Sequence, residues 1–344
     1  MRAIVAHAAK DLRIEERQVD NLESGHLRVQ VDHGGICGSD LHYYNHGGFG
    51  AVRLREPMIL GHEVGGTIIE TSDDVKHLER GQRVAVSPSR PCGTCRFCLQ
   101  GTPNHCLNMR FYGSAMPFPH IQGAFQEVID VSVAQCAVAD DLSAAEAAMA
   151  EPLAVTLHAA SQAGNLVGKR VLVTGCGPIG LLCTQVARSA GAIEIAATDI
   201  SDFPLAKARD IGVEHGINTA DSDHALTQWH EDKGYFDVLF ECSGVATALA
   251  SAIPAMRPGG VVVQLGLGGD MTLPVQQMTA KEIQLRGSFR FHDEFFTGVA
   301  LMQRGQIDVK PLITHTLPFE QAVEAFELAG DRTQAMKVQL QFAS

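Results

Sequence analysis

The stretch Gly175-Cys176-Gly177-Pro178-Ile179-Gly180 constrains this chain more than any other. It follows the apolar run Val171-Leu172-Val173 and opens a segment that reads as a helix through Ala190. Glu194 to Asp199 reads as the next strand and ends in an acid about twenty residues after Gly180. A strand, a glycine turn, a helix and a strand ending in an acid form the context in which G-x-G-x-x-G binds a dinucleotide. Gly175 allows the tight turn, Gly177 the approach to a pyrophosphate, and Gly180 close helix–strand packing. Pro178 and Ile179 complete the loop at a helix N-terminus, which favours an anion. Asp199 suits ribose hydroxyls and repels a 2′-phosphate, and Ile200, Ser201 and Asp202 supply no cation to receive one. NAD is therefore expected ahead of NADP. Phe236 to Phe240 and Gly260 to Leu265 continue the strands, so an α/β class with a doubly wound parallel sheet is expected. Leu265 and Gly266 are expected to border the same cofactor.

Four cysteines, Cys92, Cys95, Cys98 and Cys106, make a C-x2-C-x2-C-x7-C run. Four thiolates that converge hold one tetrahedral zinc with no open position, a structural site. Disulfides are disfavoured because Met1-Arg2-Ala3-Ile4-Val5 turns polar without a signal-peptide core. A reducing, cytoplasmic setting is expected, where clustered thiols favour metal. An iron–sulfur run of the bacterial type places its fourth cysteine after three residues and follows it with proline, whereas Leu107 follows Cys106. A net charge of −12 speaks against a nucleic-acid surface, so a zinc-ribbon binding module is also disfavoured. Cys136, Cys176, Cys183 and Cys242 read as small core residues.

At 344 residues the chain suits two domains, and no apolar run of 18 residues suggests a membrane span. The first part reads as β-rich, with strands at 27–31, 64–69 and 83–86. Ala144 to Ala160 is helical in composition, broken by Pro152. After about Gly287 the pattern becomes mixed, with a helix near 321–328 and a strand near 337–341, so the C-terminus is expected to rejoin the first domain.

Cys37, His62 and Glu63 combine a thiolate, an imidazole and a carboxylate, a set that can hold zinc while leaving room for water or substrate. Taken singly, each is more often structural. Gly61-His62-Glu63, the Cys37-Gly38-Ser39-Asp40-Leu41-His42 stretch (one residue short of Cys-Gly-Ser-Asp-x-x-His), the cysteine lobe and the glycine loop together resemble the zinc-dependent medium-chain alcohol and polyol dehydrogenases. The resemblance covers essentially the whole chain. Gly34 to Tyr44 is shared with sorbitol dehydrogenases, whereas Met109 to Met116 and Gly287 to Phe291 are more specific strings.

The resemblance implies a GroES-like, β-rich catalytic domain at 1–151 and 289–344, with its zinc lobe at about 88–110, around a Rossmann domain at 152–288. It implies two zinc ions per chain. Cys37 and His62 would hold the catalytic one, with Glu63 or Glu151 as the third protein ligand and exchange between the two. Asp40 would orient the ligand histidine, and an Asx turn is its plainer reading. The implied reaction is reversible hydride transfer to NAD, with Ser39 and His42 relaying the proton. The substrate would be a sugar acid or a neutral polyol. Arg290 and Arg110 are candidates for a carboxylate, because a guanidinium fork binds one bidentately. Sorbitol-type enzymes also carry an Arg in a Phe-Arg-Tyr context, and here Phe291 follows. Tyr44, Phe111 and Tyr112 could line the pocket. A homodimer or homotetramer is expected, joined at a sheet edge near Gly260 to Gly268. A non-catalytic relative of the fold is the rival from another class.

Overall fold

A computed structural model describes residues 1–343 apart from 221 and 223. The chain opens with β1 (Arg2–Ala8), β2 (Asp11–Glu16), β3 (His26–Gly35) and helix α1 (Gly38–His46). Short strands β4 (Gly48–Phe49), β5 (Val52–Arg53) and β6 (Met58–Ile59) lead to β7 (Glu63–Thr71) and β8 (Arg83–Val86). β9 (Ser89–Arg90) pairs with β10 (Arg110–Phe111) across the cysteine lobe, which contains the one-turn α2 (Arg96–Leu99). Then come β11 (Val128–Ser132), β12 (Cys136–Val138), α3 (Ala144–Ala148) and α4 (Ala150–Ala163).

The second part alternates strand and helix. It runs β13 (Arg170–Thr174), α5 (Pro178–Ser189), β14 (Glu194–Asp199), α6 (Asp202–Asp210), β15 (His215–Asn218), β16 (Phe236–Glu241), α7 (Ala246–Ala252), β17 (Met256–Gln264), α8 (Val275–Ala280) and β18 (Gln284–Gly287). The chain ends with α9 (Glu294–Gln303), β19 (Ile313–Pro318), α10 (Ala322–Gly330) and β20 (Lys337–Gln341).

Two large sheets result. One is wholly parallel, in the order β15-β14-β13-β16-β17-β18. The strand order reverses between β13 and β16, where open α/β sheets bind ligands at their carboxyl ends. β13, β14 and β16 are buried apolar runs because helices cover both faces. The other sheet is mixed, with order β12-β8-β7-β3-β20-β19 and β11 added to β3. β3 pairs with β11 along its first half and with β20 at His33–Gly35. The C-terminal strand therefore does rejoin the first sheet. Among the described residues, no helix is long and apolar enough to cross a membrane.

Two expectations need correction. The helix beginning at Ala144 breaks at Met149, ahead of Pro152. Pro152 instead sits in the first turn of α4, where its missing N–H has no partner to lose. The sheet edges are β15 and β18, since β17 lies between β16 and β18. The segment from Gly260 is therefore an interior strand.

Helices α4 and α9 join the two sheets through one apolar core that includes Leu153, Leu181, Phe295 and Val299. An ion pair crosses this seam, with His158 Nδ1 2.8 Å from Glu294 Oε1, and the N–H of His292 donating to Glu294 Oε2 at 2.8 Å. Burial works against the charge on Glu294, but these partners outweigh it and lower the pKa from 4.5 to about 2. A depressed carboxyl pKa stabilises above the unfolded value and loses that effect as pH falls through the folded value. Stability should therefore decline between about pH 4.5 and pH 2 through this group. Glu294→Gln should flatten that part of a thermal-unfolding profile taken from pH 7 to pH 2. An unchanged slope would remove Glu294 from the acid response.

Candidate active site

The glycine loop joins β13 to α5. Gly175 has φ +87°, and an added Cβ would press on the Ser243 backbone. A Cβ on Gly180 would strike the Gly175 carbonyl, whereas one on Gly177 would meet open space at the helix N-terminus. That opening is where a pyrophosphate fits. Asp199 has a second task that sequence reasoning missed. Its Oδ2 accepts the Cys176 N–H at 2.8 Å and its Oδ1 accepts the Ser201 N–H at 3.0 Å. It thus holds the loop in shape and keeps lone pairs free for ribose hydroxyls.

The neighbouring strand ends are held by Glu241, which is fully buried. Its carboxylate accepts N–H groups from Ser243 (2.9 Å), Gly244 (3.1 Å) and the Gln264 amide (2.6 Å), and the Ser243 hydroxyl. Leu265 and Gly266 both donate their N–H to the Glu241 carbonyl at 2.9 Å. They lie at the carboxyl edge of the sheet, and Gly266 has a packing reason to be glycine, because a Cβ there would strike Gly244.

Cys37, His62 and Glu63 converge, with one potential ligand atom from each within 4.8 Å of the others. The elements explain why. Cys37 caps α1, and its N–H donates to Asp40 Oδ2 at 3.1 Å. Asp40 Oδ1 accepts the Gly61 N–H at 3.0 Å, so one buried carboxylate ties the Cys37 segment to the His62 segment. Asp40 Oδ1 stands 3.7 Å from His62 Nδ1, too far for a hydrogen bond. The expected orientation of the ring through its N–H is therefore replaced by backbone tethering, and the Asx-type contact is the one present.

Glu63 opens β7 beside Gly35, whose missing Cβ makes room for the carboxylate. Lys337 of β20 donates to both Glu63 oxygens at 2.8 and 2.7 Å, with both side chains almost wholly buried. No sequence signal near either residue pointed to this pair. Glu151, in the first turn of α4, is buried and interacts with His62, Glu63, Lys337 and Asp40. Burial pushes its carboxyl up to about 7, with His62 and Lys337 opposing and Glu63 and Asp40 reinforcing the rise. Burial alone lowers His62, yet Asp40, Cys37 and Glu151 outweigh it and hold the imidazole well above its ordinary range. Two buried acids, Glu63 and Glu151, and the Cys37 thiol act on one lysine, Lys337. This donor set fits a divalent cation such as zinc.

The four lobe cysteines also converge within 4.8 Å. Cys95 Sγ lies 3.5 Å from Cys98 Sγ and 3.9 Å from Cys106 Sγ. Four sulfurs around one zinc at 2.3 Å stand about 3.8 Å apart, so the lobe fits that ion. Backbone N–H groups aim at the sulfurs, from Cys92 to Cys106 (3.1 Å) and from Cys95 to Cys92 (3.3 Å). The Thr94 N–H, first among several donors, lowers Cys92 to about 5, which favours the thiolate that a metal needs.

Around the trio, Phe111 lies tilted against the His62 ring with centroids 5.6 Å apart, and the Arg290 guanidinium lies 4.7 Å from the Phe111 ring centroid and 4.9 Å from that of Phe289. Arg290 has φ +58°, an uncommon conformation for a side chain of this size. Ser39 and His42 share one face of α1, just after Cys37. Burial, with His46 and Arg332 adding, lowers His42 and keeps it neutral near pH 7.

Three expected residues lie elsewhere. Tyr44 is buried against Phe326, and its hydroxyl donates to Glu327 at 2.7 Å. Tyr112 is buried under Arg90, with its hydroxyl toward Gln135. Both serve the core of the mixed sheet, because their hydroxyls find partners there. Arg110 is exposed on β10, the strand whose next residue, Phe111, reaches the site.

Residues 23–141 match the alcohol dehydrogenase GroES-like domain, and residues 178–304 match the zinc-binding dehydrogenase family. The chain is 44% identical over 343 residues to L-idonate 5-dehydrogenase (NAD(P)(+)) of Escherichia coli, covering 98% of each protein. It is 34% identical to the sorbitol dehydrogenase of Gallus gallus over 98% of this chain and 95% of that one. The crystal structure of the Escherichia coli L-idonate 5-dehydrogenase superposes with a TM-score of 0.95 at 43% identity, covering 99% of this chain and 97% of that one.

Removing one partner of a buried ion pair leaves an uncompensated charge and costs about 3–5 kcal/mol. Lys337→Met should therefore lower stability by about that amount in denaturant unfolding, and Lys337→Met combined with Glu63→Gln should recover most of it. A loss under about 1 kcal/mol in the single variant would contradict the charge argument.

Proposed function

The chain belongs to the zinc-binding, GroES-like alcohol dehydrogenases, and within that family we propose that it catalyses reversible NAD-linked oxidation of L-idonate at C5 to 5-keto-D-gluconate. Zinc and a nicotinamide dinucleotide are the family's cofactors, and the donor sets described above fit both. Bound, they supply the Lewis acid that lowers a hydroxyl pKa and the hydride acceptor. Cys37 and His62, with Glu63 or Glu151, would hold the catalytic ion, and Cys92, Cys95, Cys98 and Cys106 a second one. Gly175, Gly177, Pro178, Ile179, Gly180, Asp199, Leu265 and Gly266 would receive the dinucleotide. Asp199, with no cation beside it at Ile200–Asp202, favours NAD over NADP.

One observation carries the sugar acid over a neutral polyol. Arg290 is clamped between two phenyl faces beside the trio, with no carboxylate at ion-pair distance among the described residues, although Glu151 acts on its charge from farther away. Among the described residues, its one side-chain hydrogen bond runs from Nη2 to Met116 Sδ at 3.4 Å. Partial desolvation lowers its pKa, so an incoming carboxylate regains the missing stabilisation. A neutral polyol supplies no such charge and is the second reading.

The oxidised hydroxyl must lose its proton from an enclosed site. Ser39 accepts it through its hydroxyl and His42, neutral and exposed, passes it to water. The domain division proposed at 151/152 and 288/289 is supported by sheet membership, with α4 running through the first boundary. A homodimer or homotetramer is proposed, its contact moved to the β18 edge, where Leu285 is exposed.

The test is the initial rate of NAD reduction with L-idonate, D-sorbitol and xylitol side by side. L-Idonate should be fastest; preference for the polyols would overturn the acid reading. Ser39→Ala should lose about 10²-fold or more in kcat while retaining its zinc. Normal turnover in that variant would sink the relay.

A further inference from the structure

The segment that carries Arg290 touches the cysteine lobe. Asn104 lies on the single turn Pro103–His105, immediately before Cys106, and is buried. Its Nδ2 donates to the carbonyl of Phe289 at 3.1 Å. The adjacent His105 ring stacks on Phe289, with centroids 6.0 Å apart and planes 22° apart. The Phe289 carbonyl belongs to the peptide that leads into Arg290, whose φ of +58° is unfavourable for a non-glycine residue. Such conformations persist only where surrounding contacts hold them. The other slab of the clamp, Phe111, also follows from the lobe. It sits on β10, which returns from the cysteines and pairs with β9 through Phe111 and Ser89.

We propose that Asn104 is a positioning residue for Arg290, and that through it the four-cysteine lobe sets selectivity for a substrate bearing a carboxylate. The inference rests on the reading of Arg290 as the carboxylate partner. The lobe thereby has a task besides local stability: it fixes one phenyl face by a strand and the other by a hydrogen bond and a stacked imidazole. The guanidinium is then presented in one orientation, and less side-chain entropy is lost when a bidentate anion arrives.

Asn104→Leu removes the donor at similar volume, and Asn104→Ala serves if the first variant is poorly folded. Both are compared with Arg290→Ala and the Asn104→Leu/Arg290→Ala double variant, using L-idonate and its neutral C1-reduced counterpart, L-iditol. Zinc per chain is measured in each protein, and L-idonate binding to the enzyme–NADH complex is followed by calorimetry. Loss of one hydrogen bond should raise KM and Kd for L-idonate about tenfold, with kcat much less affected. The change in kcat/KM for L-iditol should be less than a third as large, and zinc content should match the parent. In the Arg290→Ala background the Asn104 change should have no further effect, because the two act as one unit.

Equal losses on both substrates, a loss that persists without Arg290, or no change would overturn the role of Asn104. Loss of zinc in both variants would reassign Asn104 to lobe integrity. If Arg290→Ala itself weakens L-idonate and L-iditol equally, the carboxylate reading of Arg290 fails first, and that result is separable from failure of Asn104 alone.

Discussion

The buried ion pair between Glu63 and Lys337 is the contact on which this architecture turns. The two residues are far apart in sequence, yet they meet in the interior at hydrogen-bond distance. They can do so only if β20 lies against β3, with β3 against β7, so that Gly35 stands beside Glu63 on one side and Gln339 on the other. A charge taken out of water is tolerated only with a partner in good geometry. Closure of the mixed sheet by the C-terminal strand is therefore coupled to the charge balance of the site. Asp40 plays the complementary part, spending its oxygens on the N–H groups of two ligand-bearing segments.

What could be read from the sequence was local. The glycine loop, its strand and its acid lie within one βαβ unit, and β14 at Glu194–Asp199 falls where its residues predicted. β20 at Lys337–Gln341 is equally legible from its composition. The lobe cysteines are close in sequence, so their convergence needs only two turns. What escaped depends on contacts between distant segments. Lys337 reads as a surface lysine until β20 is placed. Asn104 reads as a turn residue until Phe289 is seen above it. Tyr44 and Tyr112 look like pocket aromatics because their neighbours are, but each hydroxyl finds its partner inside the first lobe. The break at Met149 escaped for another reason: Pro152 was the visible breaker, and a proline in the first turn of a helix breaks nothing.

The two sheets meet through few elements, and those elements carry chemistry at their ends. α5 begins at the glycine loop and packs on α4, which begins one residue before Glu151. α9 also packs on α4 and follows the Arg290 segment. Glu241 stitches the ends of β16 and β17 into one unit beneath the cofactor edge. The parallel sheet thus offers its side of the crevice as a single rigid surface.

That rigidity gives α4 the character of a lever. The helix is about 21 Å long at its ordinary rise and is packed into the shared core at both ends, with Glu151 in its first turn. A tilt of about 3° about one end carries the other by roughly 1 Å. One ångström separates a metal–oxygen bond from a hydrogen bond to the same oxygen. A displacement of that size at the N-terminus of α4 would therefore be enough to change which partner the Glu151 carboxylate touches.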